Sequence, residues 1–265
     1  MVAHTSTREP AVAGAFYPGE EAELQSTVVR LLEQATPGVG IPRPKALIVP
    51  HAGYVYSGST AAQAYAQLRA FADDIKTVVL LGPAHRVYLE GIALPTHTTF
   101  NTPLGGVPTN REAMAKVMNV PGVITSDEAH RQEHSIEVQL PFLQQVLAEF
   151  SLVPLVVGSC SPTNVGAVID TLLGGPETLF VISSDLSHFE NYESARRHDS
   201  TSCKRILAGE STLVGTDACG AAPINGFLAS QRGSALQRQL LAYCNSGDTA
   251  GDKQRVVGYA SFSLH

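Results

Sequence analysis

The chain has 265 residues and a mass of 28.0 kDa, of which 44% are hydrophobic and 16% charged. This length is sufficient for a substantial core, and a net charge of -6 provides no basic stripe for a nucleic-acid backbone. We therefore expect a globular protein that does not bind nucleic acid.

Signals for export, membrane insertion or disulfide formation are not visible in the sequence. The first twenty residues lack the apolar centre of a secretory signal, and no apolar run approaches the roughly 20 residues of a membrane helix. None of the four cysteines belongs to a C-x-x-C pair, which leaves neither a zinc knuckle nor a thioredoxin motif. We predict a cytoplasmic protein with reduced thiols that does not associate with membranes.

In chain order, the apolar pattern predicts a helix first and a buried strand second. Helical spacing over residues 24–32 indicates an amphipathic helix, which the Pro- and Gly-rich stretch 36–44 ends. The apolar run 45–49 is typical of a strand covered on both faces. After a turn through His51, Gly53 and Gly58, Ser59 can cap a helix over residues 60–68, whose unpaired N–H groups favour an anionic ligand or water.

The middle of the chain continues this alternation. A second apolar run at 77–81 predicts another buried strand, and residues 88–110 are typical of loops and short strands. Asn110 caps a predicted helix that extends to Met118. Apolar residues then have helical spacing over 127–147, where Pro141 must either kink the helix or begin a second one.

The remaining segments complete one predicted domain over residues 1–265. No repeat and no long linker divides the chain. We predict an α/β fold with a mostly parallel or mixed central sheet and helices on both faces. The later predicted strands are 152–158, 179–183, 240–244 and 256–264, and the later predicted helices are 162–173, 191–208 and 224–230.

Three histidines follow predicted buried strands. His51, His85 and His188 each lie within a few residues of the end of such a strand. A lone histidine in this place is more often a loop or packing residue, but three in the same place favour a function. Because parallel strands end at one edge of a sheet, the imidazoles should meet in one crevice. Neutral imidazole binds metals and titrates near neutral pH, which predicts metal binding, proton transfer or both.

Two further stretches carry reactive side chains. Glu133, His134 and Glu137 form either a charged first turn favoured by the helix dipole or a group in which a carboxylate orients His134 in the crevice. Cys219 precedes a predicted helix, a setting that lowers the pKa of a thiol, although an inert packing cysteine is the commoner case. Spacing alone does not place Cys219 near the histidines.

At this point the chain resembles the Memo family, known in prokaryotes as AmmeMemoRadiSam system protein B. The resemblance spans nearly the whole chain in order, which is more specific than any one motif. The family is structurally similar to class III extradiol dioxygenases, non-haem iron enzymes that cleave catechol rings. The matching segments are 14–18 (GAFYP), 50–54 (PHAGY), 82–85 (GPAH), 133–137 (EHSIE) with 140–141 (LP), 183–188 (SSDLSH) and 219–220 (CG).

The resemblance implies a role for six residues. The metal ligands that it implies are His51, His85 and Cys219, the last in place of the carboxylate of the dioxygenases. The catalytic residues that it implies are His188 as the acid/base, with Asp185 beside it, and His134 lining the pocket. Segment 221–226 departs from many relatives, which have a basic residue and a histidine before the proline, so substrate contacts from that loop are not carried over.

A thiolate ligand changes the expected metal chemistry. Two imidazoles and a carboxylate suit Fe(II) and leave positions open for catecholate and dioxygen. A thiolate is softer, favours Cu(I), Zn or a differently poised iron, and can itself be oxidised. We expect Fe(II) as the first choice, with Cu or Zn as the alternatives.

Three functions are compatible with these residues. The leading one is a metal-dependent redox protein or dioxygenase-like oxidoreductase that acts on a small aromatic or phenolic substrate. The alternative is a non-catalytic binding or adaptor protein that uses the same pocket for phosphopeptide-like anions, as described for animal relatives. A zinc hydrolase is a third, which rests on ligand count alone because H-E-x-x-H is absent. The family name also implies an association with a radical S-adenosylmethionine protein.

Overall fold

The computed structural model describes residues 6–36 and 42–265, which form both strands and helices. The strands are β1 (Thr7–Arg8), β2 (Ala46–Val49), β3 (Thr77–Pro83), β4 (Ile92–Leu94), β5 (Thr99–Thr102), β6 (Gly105–Pro108), β7 (Val123–Thr125), β8 (Ser151–Val157), β9 (Thr178–Ser183), β10 (His188–Glu190), β11 (Arg238–Asn245) and β12 (Val256–Leu264). The α-helices are α1 (Glu21–Gln34), α2 (Tyr54–Tyr65), α3 (Arg111–Val117), α4 (Asp127–Arg131), α5 (His134–Glu137), α6 (Leu140–Val146), α7 (Pro162–Leu172), α8 (Tyr192–Ala208) and α9 (Ala221–Ala229). Short 3-10 helices cover Ala66–Phe71, Gly233–Ala235 and Ser246–Asp248.

The centre of the structure is a mixed sheet whose middle strands are parallel. Strands β2, β9, β3 and β8 lie side by side in that order and pair in parallel. The flanking strands β12 and β4 are antiparallel to their neighbours β2 and β8. A smaller sheet is formed by β1, β5 and β6. The four parallel strands therefore end at one side of the main sheet, which we call the carboxyl edge.

Both faces of the main sheet are covered. Along β2, Leu47 and Val49 pack into one apolar cluster with α1, α2 and α6, whereas Ala46 and Ile48 pack into another with α3, α7, α8 and α9. This alternation follows from the period of two in a strand, and it explains why the strand has no polar position. The predicted α/β fold, with a mixed central sheet and helices on both faces, is confirmed.

Most predicted elements appear close to their predicted bounds. The buried strands at 45–49, 77–81, 152–158 and 179–183 are β2, β3, β8 and β9. The predicted loop 36–44 lies partly outside the described residues, as do the first five residues of the chain. In the part of the chain that the structure covers, no helix combines the length and the apolar character that crossing a membrane requires.

The helix after His51 begins earlier than predicted. The sequence indicated a start at residue 60 with Ser59 as its cap, but α2 begins at Tyr54 and Ser59 lies inside it. The prediction was wrong because Gly58 was interpreted as a turn residue. A Cβ at Gly58 would lie 2.9 Å from Cδ1 of Leu31, so this glycine lets α1 and α2 pack closely within regular helix.

The stretch 127–147 forms three short helices, α4, α5 and α6. Pro141 lies in the first turn of α6, so it begins a new helix rather than kinking a long one. Near the C-terminal end, the helix predicted from residue 224 starts at Ala221, directly after Cys219 and Gly220.

Candidate metal centre

Three imidazoles meet at the carboxyl edge. His51 follows β2, His85 follows β3, and His134 opens α5, which packs against β3. The ring centroids are 5.1 Å apart for His51 and His85, 5.4 Å for His51 and His134, and 4.7 Å for His85 and His134. One nitrogen from each ring lies within 4.8 Å of the others. Positions far apart in the sequence therefore converge on one cluster. Of the three strand-end histidines that we expected to meet, His51 and His85 belong to this cluster, whereas its third ring is that of His134 and not that of His188.

His51 is held on three sides. Its backbone N–H donates to Oδ1 of Asp185 at 2.7 Å, and its Nδ1 lies 2.8 Å from Oγ of Ser183. Its Nε2 lies 3.3 Å from Sγ of Cys219. Because the side chain is fully buried, the pKa of His51 lies well below its ordinary value, and the ring is neutral near pH 7.

His85 is oriented by one carboxylate. Glu133 accepts from the backbone N–H of His85 at 2.6 Å and from its Nδ1 at 2.9 Å. Burial acts to raise the pKa of Glu133, but the hydrogen bonds from His85 and from the N–H of Ser135 lower it to about 2. An ionised carboxylate only accepts, so Nδ1 of His85 carries a hydrogen, and in the neutral ring the lone pair is on Nε2.

His134 lies between two rings. It stacks on His85, and Phe16 packs 4.8 Å from it on centroids. Its buried Nδ1 has no hydrogen-bond partner among residues 6–36 and 42–265. Burial lowers the pKa of His134 to about 4. The sequence left open whether a carboxylate orients this ring. Oε1 of Glu133 lies 3.4 Å from Nδ1 of His134, but the hydrogen bonds of Glu133 go to His85 and Ser135.

Glu137 faces away from the imidazoles. Its carboxylate accepts from the N–H groups of Ala11 and Val12 at 2.8 and 3.0 Å, and from the hydroxyl of Tyr17 at 2.5 Å. It also pairs with the buried guanidinium of Arg8. Glu137 therefore connects the N-terminal segment to α5. It does not contribute to the imidazole cluster, in which His134 is the member from this helix.

Cys219 reaches the site from the loop before α9. Its Sγ accepts from the N–H of Asp185 at 3.3 Å, in addition to its contact with His51. The sequence left open whether the helix start lowers the pKa of this thiol or whether the cysteine is an inert packing residue. Burial, reinforced by the charge of Asp185, raises the pKa of Cys219 to about 12. In the absence of a metal the side chain is therefore a thiol.

One pair of these atoms, Nε2 of His51 and Sγ of Cys219, has a spacing that a shared metal ion would allow, although Cys219 is not among the three residues whose ligand atoms all lie within 4.8 Å of one another. With metal–nitrogen and metal–sulfur bonds of about 2.05 and 2.3 Å, two ligand atoms lie about 3.1 to 3.5 Å apart for bond angles between about 90° and 109°. The 3.3 Å between Nε2 of His51 and Sγ of Cys219 falls in this range. The imidazole and thiol donors present at this edge therefore fit a soft or borderline transition metal.

Asp185 and His188 follow β9 at the same edge. Nδ1 of His188 donates to the carbonyl of Leu186 at 2.8 Å, which leaves Nε2 as the basic atom. Burial lowers the pKa of His188. Burial raises the pKa of Asp185 to about 7, against the hydrogen bonds that it accepts from the N–H groups of His51 and Ala52.

Sequence reasoning missed two residues that contact the site. Ser183, the last residue of β9, bonds to the ring of His51, and Gln139 bonds to Ser183. The available signals were a serine that ends an apolar run and a glutamine on the apolar side of a helical pattern. Both signals are common in residues that have no functional contact.

The fold is that of the open-sheet α/β proteins, a class in which ligands usually bind at the carboxyl ends of the parallel strands, where this chain gathers imidazoles and a thiol. Within this class the chain belongs to the Memo-like protein family, whose sequence profile matches residues 8–263. The family resemblance noted from the motifs is thereby confirmed.

Curated relatives are similar over nearly their full length. A MEMO1 family protein from Ignicoccus hospitalis is 37% identical over 282 aligned residues, which cover 96% of this chain and 97% of the relative. One from Aquifex aeolicus is 36% identical, with 95% and 97% covered. The crystal structure of the uncharacterized protein JW3007 from Escherichia coli K12 aligns with a TM-score of 0.52 at 12% identity, over 83% of this chain and 99% of that one. This last similarity concerns the fold alone.

Proposed function

We propose that the chain is a metal-dependent redox protein of dioxygenase-like architecture, in which His51, His85 and Cys219 hold one metal ion. The observation that carries this proposal is the 3.3 Å spacing between Nε2 of His51 and Sγ of Cys219. Nδ1 of each of the two imidazoles is engaged by the protein, which leaves Nε2 for a ligand. Fe(II) is the first choice and copper the second, because a thiolate softens the site.

A bound metal would supply a Lewis-acidic and redox-active centre for a small aromatic or phenolic substrate and dioxygen. The protein must first release the proton of Cys219, because burial holds the pKa of the thiol at about 12. Burial lowers the pKa of His134 to about 4, so its ring is neutral near pH 7 and suits a hydrogen bond with a substrate hydroxyl.

His188 is the proposed proton acceptor. Its Nδ1–H is committed to the carbonyl of Leu186, and burial lowers its pKa, so Nε2 is unprotonated near pH 7. A neutral imidazole with one free lone pair acts as a general base. Asp185 contributes by holding the backbone N–H of His51 at 2.7 Å, which fixes the turn that presents this ring.

Metal content tests the proposal. Protein purified without oxygen from matched cultures would be analysed for iron, copper and zinc, with His51→Ala and Cys219→Ser as site variants. His97→Ala, which changes a histidine outside the cluster, is the control. We expect one metal per chain in the wild type and the control, and loss of that metal in both site variants. Equal content in the wild type and His51→Ala would refute the proposal, and zinc without oxygen uptake would favour a hydrolase.

A binding protein for phosphopeptide-like anions is the second candidate, and it is favoured by exposed aromatic groups near the site. Phe189, next to His188, is 62% exposed, and Tyr56, in the first turn of α2, is 36% exposed. Such rings suit contact with a peptide. Titration with a tyrosine-phosphorylated peptide in the presence of a chelator distinguishes the candidates. Saturable binding without metal or oxygen uptake would support the binding protein.

A further inference from the structure

One hydroxyl group links three segments of the candidate metal centre. Ser183 ends β9 and is fully buried. Its Oγ lies 2.7 Å from the carbonyl oxygen of Ser135, 2.9 Å from Nε2 of Gln139 and 2.8 Å from Nδ1 of His51. A serine hydroxyl has one hydrogen and two lone pairs, so three partners use its full capacity.

The chemistry of the partners fixes the direction of each bond. A carbonyl oxygen only accepts, so the single hydrogen of Ser183 must go to Ser135. Both lone pairs of the hydroxyl then accept, one from Gln139 and the other from His51. Nδ1 of His51 must therefore carry a hydrogen.

The orientation of Gln139 supports this assignment. Its Nε2 also donates to the carbonyl of Pro50 at 2.9 Å, and its Oε1 accepts from the hydroxyl of Tyr65 at 2.9 Å. A flipped amide would place its oxygen against the carbonyl of Pro50, with no hydrogen between them. Since Gln139 is fully buried, water does not compensate such a contact. Its nitrogen is therefore the atom that faces Ser183.

We propose that Ser183, held by Gln139, is a positioning residue that fixes His51 as the Nδ1–H tautomer and keeps the Nε2 lone pair directed at the candidate metal centre. That Nε2 binds a metal ion rests on the proposed function, whereas the assignment of the tautomer does not depend on it. Ser183 is decisive because Cys219, on the other side of the ring, accommodates either tautomer. A thiol both donates and accepts, so the 3.3 Å contact with Nε2 imposes no direction.

The consequence for ligand binding is direct. A ring with hydrogen on Nε2 has no lone pair at the atom that faces Cys219, and it must change tautomer before it binds a cation there. Partners that fix the tautomer of a metal-binding histidine typically change metal affinity 10- to 100-fold when they are replaced. We expect Ser183→Ala to weaken Zn(II) binding by about that factor.

Nitrogen NMR of the full-length, metal-free protein tests the tautomer without any activity assay. Protein labelled with 15N-histidine would be treated with chelator, and the signals of His51 would be assigned by their loss in His51→Gln. The wild type should show hydrogen on Nδ1 and a lone pair on Nε2. Ser183→Ala should populate the Nε2–H form, and Ser183→Thr, which keeps the hydroxyl, should restore the wild-type pattern. Ser263→Ala, a buried serine of β12 outside the cluster, should change neither the tautomer nor Zn(II) affinity.

Each outcome decides the inference. Hydrogen on Nε2 in the wild type overturns it, even if the variants do not fold. An unchanged tautomer and unchanged Zn(II) affinity in folded Ser183→Ala also overturn it, because a purely structural role alters only the melting temperature. If the wild type has the Nδ1–H tautomer and binds no metal, the proposed function fails while the tautomer assignment stands.

Discussion

The backbone N–H of His51 donates to the carboxylate of Asp185 at 2.7 Å, and this bond joins the turns that follow β2 and β9. The carboxylate also accepts from the N–H of Ala52 and is almost completely buried. Asp185 therefore supports the turn that carries a candidate metal ligand.

Replacing Asp185 should destabilise the protein, and the loss of unfolding free energy should be larger when the new side chain has no hydrogen-bond acceptor. Asp185→Ala leaves two buried N–H groups without a partner, and each should cost about 1–3 kcal/mol. Asp185→Asn keeps one acceptor oxygen and should lose roughly half as much. Urea denaturation followed by circular dichroism measures both variants. Equal losses would show that the charge, rather than the hydrogen bonds, is what the turn needs.

Glu133→Gln should weaken metal binding while the chain stays folded. The amide is a weaker acceptor than the carboxylate that now holds Nδ1 of His85 at 2.9 Å, so the ring is oriented less firmly. We expect metal affinity to fall about 10- to 100-fold, measured by competition with a chromogenic chelator. The matched control is Glu128→Gln, an exposed carboxylate paired with Arg131. Equal affinity in the two variants would contradict the assigned role of Glu133.

Arg8→Met should strongly destabilise the fold. It leaves the carboxylate of Glu137 buried without its cation, and loss of one partner of a buried ion pair typically costs about 3–5 kcal/mol. The hydroxyl of Tyr17 and two backbone N–H groups remain, so we expect the lower end of that range. Arg131→Met, which breaks an exposed pair, should cost less than about 1 kcal/mol in the same denaturation assay. Similar losses in both variants would contradict this prediction.

His198 should make stability depend on pH. Its two ring nitrogens contact Glu190 at 2.6 Å and Asp217 at 3.0 Å, and Arg205 also pairs with Asp217. These hydrogen bonds raise the pKa of His198 above 6.5. A group with a raised pKa in the folded state stabilises fully below its unfolded pKa and loses this contribution as pH rises through the folded value.

The measurement is the difference in unfolding free energy between the wild type and His198→Gln. It should be largest below about pH 6 and should shrink at higher pH, with a total near 1 kcal/mol because the pairs are partly solvated. A difference that grows with pH would show that His198 is held in the neutral form.

Gly82→Ala should disturb the cluster through Ser135. A Cβ at Gly82 would overlap the hydroxyl of Ser135, which donates to the carbonyl of Pro83 at 3.0 Å. Displacing Ser135 also disturbs its neighbour His134, so stability should fall by about 1–3 kcal/mol and metal affinity should fall with it. Gly215→Ala, where a Cβ meets no atom within 4 Å, should leave both quantities unchanged.

The strand ends were predictable because their cause is local. A buried strand is indicated by a run that is apolar at every position. Pro or Gly after the run indicates where the strand ends, so the histidine that follows is placed at its carboxyl end, as for His51 and His85. The position of Cys219 was not predictable in this way. Its loop is held near the site by the packing of α9 against the face of the sheet that α3, α7 and α8 also cover. No local sequence pattern shows that Cys219 lies close to the histidines, so only the family resemblance indicated that it belongs to the site.

The partners of the imidazoles were unpredictable for another reason. Ser183 and Gln139 affect the site through the direction of individual hydrogen bonds to and from the hydroxyl of Ser183. An amino-acid sequence does not show hydrogen-bond geometry. The start of α2 was mispredicted because Gly58 serves helix packing, whereas glycine between predicted elements usually indicates a turn.

Strand β12 has a consequence for how the protein is made. It lies against β2, where Phe262 pairs with Ile48, although these residues are near opposite ends of the described chain. During synthesis on a ribosome, the strand that leads to His51 therefore remains uncovered on one side until residues 256–264 emerge from the exit tunnel. Any folding of the sheet before that moment therefore leaves the outer edge of β2 without its antiparallel partner.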